Sequence, residues 1–338
     1  MAGKGTYRAV RRSTEVWSRG RSNGPTHLSG FRPTSGFRHS RWVIAILALT
    51  VLAGCSHATE VATPPSTTTT TTTGPHVTYP NRGKPTWIIN IGAVAVLRKA
   101  GLSESLIRYF FNNPQTYITT GGENIRAEFP RAIPTESFGS YEVMRITFAT
   151  HSLYPGTRAI LYDNEDWSRT PAAESAQPVR YAAKAKALVH RHGMTFIFTP
   201  ATDLANLNDG GAPGGVATFQ RYLFRGLAEG GARASDVFEI QAQQAEATPE
   251  FAPFTTTAAA QARAANPHAV VLAGIGTNPV GRPVTTQNLL TAYRLSRAVV
   301  NGYWFNMPQS GTACATCETG QPYVAASFFR ALARILGH

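Results

Sequence analysis

The sequence predicts an α/β fold, specifically a closed (β/α)8 barrel of the TIM type that occupies residues 85–338. This segment holds roughly 250 residues, the usual size of one such barrel. From residue 159 onward, short apolar runs alternate with amphipathic helical patterns about every 30–40 residues, which indicates parallel strands joined by crossover helices. An open doubly wound sheet is the second choice, but its G-x-G-x-x-G fingerprint for nucleotide binding is missing.

An export signal is predicted before this domain, at residues 1–54. A basic stretch is followed by an apolar run at 42–54, WVIAILALTVLAG, which is shorter than the roughly 20 residues that a helix needs to cross a bilayer. The run leads into LAGC at 52–55, which resembles the lipobox of bacterial lipoproteins. The resemblance implies that Cys55 is lipidated and that the mature protein is anchored to the cell membrane on its extracytoplasmic side. A plain secretory signal with an unrelated cysteine is the alternative.

Residues 55–84 are predicted to form a disordered tether that starts at the lipid anchor. They include TPPS followed by seven threonines, a composition with no apolar surface to bury. A tether of this kind would let the folded domain stand off the membrane.

The charge of the part after the export signal does not indicate a nucleic-acid partner. The full chain has 32 Lys and Arg against 19 Asp and Glu, a formal net charge of +13. Nine of these basic residues and one of the acids precede residue 56, so the rest carries 23 basic and 18 acidic residues, or +5. This mild excess comes without basic runs interleaved with aromatic residues. We therefore expect no nucleic-acid partner. We also expect the protein to be a monomer.

The two remaining cysteines, Cys314 and Cys317, are predicted to form a structural disulfide, because disulfides persist outside the cytoplasm. Zinc binding is an alternative, but it would need two further ligands and only His338 is near in sequence. Redox chemistry is the third possibility. The CATC motif lies in a Gly/Thr-rich loop near the C-terminus, however, and not at the start of a helix after an early strand.

Eight strands can be assigned to the barrel. Apolar runs of strand type begin near residues 159, 195, 237, 269 and 303, and further runs lie at 87–91, 116–120 and 143–149. Helical patterns lie between the later strands, at 178–192, 216–229, 286–300 and 322–336. The alternation therefore supplies enough strands to close a barrel.

Polar side chains follow the ends of five consecutive predicted strands, and chemistry in barrels lies at those C-terminal ends. Because alternate side chains share a face, Phe238, Ile240 and Ala242 would pack outward while the residues between them point into the barrel. Buried amides and carboxylates are costly unless they are paired, so the set predicts a polar pocket. The residues predicted to line this pocket are Asp163, Glu165, Asp203, Gln241, Gln243, Glu246, Asn278 and Asn306.

The acids in this set predict glycoside hydrolysis, which needs one protonated and one ionised carboxyl group. We assign Glu165 as the general acid because Trp167 beside it could raise its pKa, and we expect Glu246 or Asp203 as its partner. Asp163 is a fourth catalytic candidate. The candidates for binding a glycan are two tryptophans, whose faces suit a sugar ring, and four amides: Trp167, Trp304, Gln241, Gln243, Asn278 and Asn306.

Several of these residues also have a purely structural interpretation. Asp163 would pair with Arg145 on the preceding predicted strand, and Trp304 would belong to the core. Glu239 would be a buried acid satisfied by hydrogen bonds. The polar residues at 166–170 would cap the turn and helix that follow them.

No motif points to a metal or another cofactor. H-E-x-x-H and a clustered His/Asp set are absent, and so is the G-x-S-x-G nucleophile elbow. His190 and His192 lie at a helix end, where a cation suits the helix dipole. We therefore expect no metal, no cofactor and no esterase-type nucleophile.

From residue 159 to 332 the chain resembles a group of exported actinobacterial proteins. The strings that carry the resemblance are ILYDNEDW, FTPATDL, FEIQAQQAE, LAGIGTNP and GYWFNMP. The resemblance implies a barrel related in shape to glycoside hydrolases, and it transfers no catalytic residue. Three hypotheses follow: an envelope-tethered glycosidase that acts on cell-wall or environmental glycans, a catalytically silent barrel that binds sugars or a wall polymer, and a structural lipoprotein whose pocket has no ligand.

Overall fold

The computed structural model describes residues 84–207, 216–308 and 320–338. Within these ranges, eight parallel strands pair in chain order and close into a barrel, since the last strand pairs with the first. This confirms the predicted α/β barrel. No helix in the described ranges combines the length and apolarity needed to cross a bilayer. The predicted export signal, Cys55, nearly all of the tether, and Cys314 and Cys317 lie outside the described residues.

The barrel strands follow one another around the ring. They are β1 Thr86–Asn90, β2 Thr116–Thr119, β3 Ile133–Phe138, β4 Ala159–Asn164, β5 Thr195–Pro200, β6 Val237–Ile240, β7 Val270–Gly276 and β8 Gly302–Asn306. The helices are α1 Ile91–Lys99, α2 Glu104–Phe111, α3 Ile125–Glu128, α4 Tyr141–Ala149, α5 Ala172–Ser175, α6 Pro178–Arg191, α7 Val216–Phe224, α8 Leu227–Arg233, α9 Phe251–Ala265, α10 Thr286–Ser296 and α11 Pro322–Ile335. Short 3-10 turns lie at Thr202–Asn206 and Pro279–Gly281.

The predicted strand at 143–149 is wrong, because these residues belong to α4. The amino-terminal end of α4 is capped from two directions. The hydroxyl of Ser140 accepts hydrogen bonds from the amides of residues 142 and 143, and the carboxylate of Glu174 accepts from those of residues 141 and 142. Two such caps favour a helix over the β-propensity of the VMRITFA run. The third strand is instead β3, whose sequence IPTESF is too polar to stand out as a strand.

The predicted helix at 216–229 is two helices. Gly226 separates α7 from α8 and has a φ of 65°, in the left-handed region that favours glycine. The chain therefore turns between the two helices, and both remain on the outside of the barrel near α9.

Two hydrophobic layers organise the domain. The larger lies between the strands and the helices, and it contains Phe238, Ile240 and Ala242, as predicted from the alternation along β6. The smaller lies inside the barrel and fills only the first half of the strands. Its buried members are Ile88, Tyr117, Ala159, Leu161, Ile197, Val237 and Leu272. The second half of the interior is polar, and this places a site at the carboxyl ends of the strands.

Candidate active site

A cavity of about 720 Å³ opens where the carboxyl ends of the strands meet. Eight of the ten predicted catalytic and glycan-binding residues line it. The acids among them are Asp163, Glu165 and Asp203. The amides and tryptophans are Trp167, Gln241, Gln243, Trp304 and Asn306. The rule that strand ends converge in a barrel therefore brings together residues that are up to 143 positions apart, from Asp163 to Asn306.

The other two predicted residues, Glu246 and Asn278, are not among the residues that line this cavity. Glu246 is 3% exposed, and one of its carboxylate oxygens accepts a hydrogen bond of 2.7 Å from the backbone amide of Gly276. This contact holds the loop after β6 against the end of β7. Asn278 is also buried and begins the 3-10 turn at Pro279–Gly281. The position of Glu246 therefore leaves Asp163 and Asp203 as the carboxyl groups that line the cavity together with Glu165.

One amide group joins Asp163 and Glu165. The Nε2 of Gln241 donates at 3.2 Å to an oxygen of Asp163 and at 3.3 Å to an oxygen of Glu165, and it also lies 3.1 Å from the carbonyl of Thr199. Two carboxyl oxygens within reach of one nitrogen are close neighbours. Asp163 and Glu165 are two residues apart at the end of β4, so both side chains point into the barrel.

Burial raises the pKa of both acids above the ordinary carboxyl range. The neighbouring charges of Asp163 and Asp203 raise the pKa of Glu165 further. The pKa of Asp163 is held back by the hydroxyl of Thr199, which donates to it at 3.0 Å, and by the positive charge of Arg169. The pair therefore retains one proton to a higher pH than isolated carboxyls do, and the proton is favoured on Glu165.

Asp203 is the third acid of the cavity, and it lies in the 3-10 turn after β5. Burial raises its pKa, while the backbone amide of Asp166, 3.4 Å from its carboxylate, lowers it. β5 ends at Pro200, and the 3-10 turn that follows it at Thr202–Asn206 places Asp203 in the lining of the cavity.

Trp167 forms part of the wall beside these acids and is held in place by its own loop. Its ring nitrogen donates at 2.7 Å to the hydroxyl of Thr170, which in turn donates at 2.6 Å to the carbonyl of Gly139. The guanidinium of Arg169 lies over the indole ring, 4.9 Å from its centre. Among the described residues no side chain caps the start of α5, so the expected capping of this helix by residues 166–170 is wrong. Thr170 instead holds the ring of Trp167 in place.

Two of the structural alternatives for the site residues are also corrected. Arg145 lies on α4 and pairs with Glu142 at 2.6 Å, so the expected ion pair with Asp163 is not formed. Glu239 is fully buried, as expected, but neither of its carboxyl oxygens has a hydrogen-bond partner among the described residues. Trp304 combines both interpretations, because it packs on the inner hydrophobic cluster and also lines the cavity.

The residues of the cavity that were not predicted from the sequence include Asn90, Thr119 and Arg169. Asn90 ends β1, and its amide nitrogen donates at 3.2 Å to the hydroxyl of Thr119 at the end of β2. Asn90 and Thr119 could have been predicted in the same way as Asn306, because both are polar residues at the carboxyl ends of apolar strands. Arg169 carries no such signal, because it comes from the loop after β4.

The described residues contain no group of three or more His, Cys, Asp and Glu side chains arranged to hold a metal ion. The chemistry that the cavity can perform with its own side chains is proton transfer between carboxyl groups, together with hydrogen bonding by amides and contact with two indole rings.

No protein-family model matches the chain, and no curated protein matches it in sequence. Solved structures with a similar fold include the β-glucuronidase of Bacteroides uniformis, with 9% identity and a TM-score of 0.41 over 68% of this chain and 31% of that one. An active-site mutant of the Rhizomucor miehei β-1,3-glucanosyltransferase, in complex with laminaritriose, has 11% identity and a TM-score of 0.36 over 65% of this chain and 86% of that one. The chain thus spans about a third of the length of the first. At these identities and TM-scores the likeness carries no argument, so the function has to be argued from the site.

Proposed function

We propose that the protein is a glycoside hydrolase that acts in the cavity at the carboxyl ends of its barrel strands. The observation that carries this proposal is the pair of half-buried carboxyl groups, Asp163 and Glu165, which share the amide of Gln241. Glycoside hydrolysis requires one carboxyl group that keeps its proton and one that is ionised. A close pair in a poorly solvated site supplies both states at once, because the two groups cannot ionise together easily.

The environment of each acid assigns its role. Glu165 is the general acid, because burial and two negative neighbours raise its pKa and favour its protonated form. Asp163 is its ionised partner, since a hydroxyl and an amide donate to it. Asp203, in the 3-10 turn after β5, is the alternative partner. In either case the partner acts as nucleophile or as the base that activates water, depending on the separation of the two carboxyl groups across the bound sugar.

The rest of the cavity suits a sugar. A volume of about 720 Å³ accommodates a small oligosaccharide. Trp167 and Trp304 supply indole rings that can pack against the C–H side of a pyranose. Asn306 offers its amide to the sugar hydroxyl groups, and the amide nitrogen of Gln243 has a second N–H beside the one that it donates to Gln241. This combination of aromatic faces and amides supports a glycan over a purely apolar ligand.

The test is to incubate the purified protein with a panel of bacterial wall polysaccharides and measure new reducing ends. Glu165→Gln should abolish the release while it leaves the melting temperature nearly unchanged, because the amide keeps the shape of the side chain and loses its proton donor. Glu229→Gln is the matched control, since Glu229 is exposed on α8 and forms an ion pair with Arg233 one helical turn away. Equal activity in Glu165→Gln and in the control would eliminate the assignment of the acid.

A second candidate function is glycan binding without hydrolysis, and one observation favours it. The carboxyl groups among the described cavity residues come only from β4 and from the turn after β5. The side of the mouth formed by β8 and β1 contributes Trp304, Asn306 and Asn90 instead. Hydrolysis places carboxyl groups on both sides of the scissile bond, whereas binding does not. Calorimetric binding of a wall oligosaccharide without release of reducing ends, unchanged in Glu165→Gln, would support this candidate.

We also propose that the protein is exported and held on the outer face of the cell membrane by lipid on Cys55, which the lipobox-like LAGC supports. Labelled palmitate should enter the protein and be lost in Cys55→Ser, which should also move the protein from the membrane to the soluble fraction.

A location outside the cytoplasm also supports a disulfide between Cys314 and Cys317. Alkylation of these two cysteines should then require prior reduction, as mass spectrometry of the intact protein can measure.

A further inference from the structure

Glu239 is a buried carboxyl group for which the proposed reaction has no use. It lies on β6 beside Leu272 of the inner hydrophobic cluster, and its side chain therefore points into the barrel below the cavity. Its exposure is 0%, and neither carboxyl oxygen has a hydrogen-bond partner among the described residues. A buried carboxylate without a hydrogen-bond donor is unfavourable, so either a hydrogen bond or a change of ionisation state has to stabilise Glu239.

Gly274 on β7 leaves room for the side chains of Glu239 and Gln243. A Cβ at this position would lie 2.5 Å from the Oε1 of Glu239 and would also clash with the Oε1 of Gln243. The two oxygens therefore approach the same small space beside the glycine. The Oε1 of Gln243, like the oxygens of Glu239, is buried and lacks a donor among the described residues. Two acceptors that face each other satisfy one another only if one of them carries a proton.

A series of hydrogen bonds leads from Gln243 to the two acids. Its Nε2 donates at 3.3 Å to the Oε1 of Gln241, and the Nε2 of Gln241 donates to Asp163 and Glu165. Each amide is thus used in one direction only, with its oxygen towards Glu239 and its nitrogen towards the pair of acids. If either amide were turned around, its oxygen would face another oxygen.

We propose that Glu239 is held as a neutral carboxylic acid, and that its O–H donates to Gln243 and so fixes the direction of the chain Glu239–Gln243–Gln241 towards Asp163 and Glu165. Glu239 is then a positioning residue, because it acts on the two acids only through the amides between them. The inference deepens the proposed function, since it concerns the same carboxyl pair, but it is a statement about ionisation and hydrogen bonding that holds with or without turnover.

The electrostatic surroundings agree with a neutral Glu239. Burial raises its pKa well above the ordinary range, and the charges of Asp163 and Glu165 raise it further. Tyr222 of α7 is a third titratable group that interacts with it, and that phenol is itself buried with a raised pKa. No cation among the described residues acts on Glu239 to favour its charged form.

The test is a carboxyl-carbon NMR titration of the full chain labelled at its Asp and Glu side chains. The signal of Glu239, assigned by its loss in Glu239→Gln, should stay at its protonated position from pH 5 to 8. A deprotonated signal in that range would overturn the proposal. An absence of glycan hydrolysis leaves the titration unaffected, so failure of the proposed function and failure of this inference are distinguishable.

Two variants test the chain of amides. Glu239→Gln should leave the titration midpoint of Glu165 nearly where it is, because the new amide also donates to Gln243 and no charge is lost. Glu239→Leu should raise the midpoint by about one pH unit, because Gln241 loses its fixed direction and donates less to the ionised pair. A midpoint lowered by about a unit in Glu239→Gln would show that Glu239 was charged, and equal midpoints in the two variants would show that the chain has no effect. If Glu239→Leu does not fold, the Glu239 signal and the Glu239→Gln midpoint still decide the charge.

Discussion

Replacement of Glu174 by alanine should be among the most destabilising single changes in the barrel. The carboxylate is 2% exposed and accepts four hydrogen bonds: from the hydroxyl of Ser140 at 3.1 Å, the amides of Tyr141 at 2.6 Å and Glu142 at 3.1 Å, and the hydroxyl of Tyr162 at 2.7 Å. A buried donor left without an acceptor costs about 1–3 kcal/mol. Some of these donors can reach water or turn aside, so we expect a loss of about 3–5 kcal/mol in the free energy of unfolding, below the sum of the four.

Urea unfolding followed by circular dichroism measures this loss. Glu174→Gln should cost less than Glu174→Ala, because it keeps one acceptor oxygen but turns an N–H group towards other donors. Glu229→Ala is the control, since it removes an exposed ion pair with Arg233 and should cost no more than about 0.5 kcal/mol. If Glu174→Ala lost less than about 1 kcal/mol, the network would not stabilise the fold and our account of α4 would fail with it.

Two further predictions concern pH and barrel closure. Folding raises the pKa values of Asp163 and Glu165, so the folded state binds their protons more tightly than the unfolded state does. The stability that this contributes is full at low pH and is lost as the pH rises from the ordinary carboxyl range through the raised pKa values. The loss is up to about 1.4 kcal/mol for each pH unit between the unfolded and folded pKa. Urea unfolding from pH 4 to 9 should show a smaller loss in Glu165→Gln than in the wild type, and equal slopes would contradict the raised pKa values. Gly302→Ala should destabilise the protein by about 3 kcal/mol or more, because its Cβ would lie within 2.6 Å of the backbone of β1. Gly121→Ala, whose Cβ would meet nothing closer than 3.8 Å, is the control, and equal thermal stability of the two variants would refute the steric argument.

The strands that could be predicted are those with apolar side chains on both faces. β4, β5 and β7 are buried in the core on one side and in the barrel interior on the other, so their sequences are continuous apolar runs. β3 differs because Thr135 and Ser137 point into the polar half of the barrel, while Glu136 on the other face accepts a hydrogen bond of 3.0 Å from the amide of Tyr154. The hydrogen-bond partner of Glu136 comes from a loop, and no local sequence pattern in β3 predicts it.

The convergence of the site residues was predictable from topology, but their individual roles were not. Asp163, Gln241 and Asn306 follow apolar strands, and parallel strands in a barrel bring their ends together. Glu246 follows a strand in the same way, yet it turns to accept a hydrogen bond from the backbone of Gly276. Whether a polar residue near a strand end faces the cavity depends on the loop conformation, which is set by partners far away in sequence.

The alternation of apolar and amphipathic segments determined a parallel sheet covered by helices, because each strand must bury its faces whatever the detailed packing. The length of roughly 250 residues then favoured a closed barrel over an open sheet. Only the tertiary structure decided that Gln241 ties Asp163 to Glu165 and that Glu239 lies beneath them without a donor among the described residues. Hydrogen bonds depend on distances of a few tenths of an ångström between residues that are tens of positions apart. A linear pattern carries no information about such distances until the closed ring of strands sets the direction of every side chain.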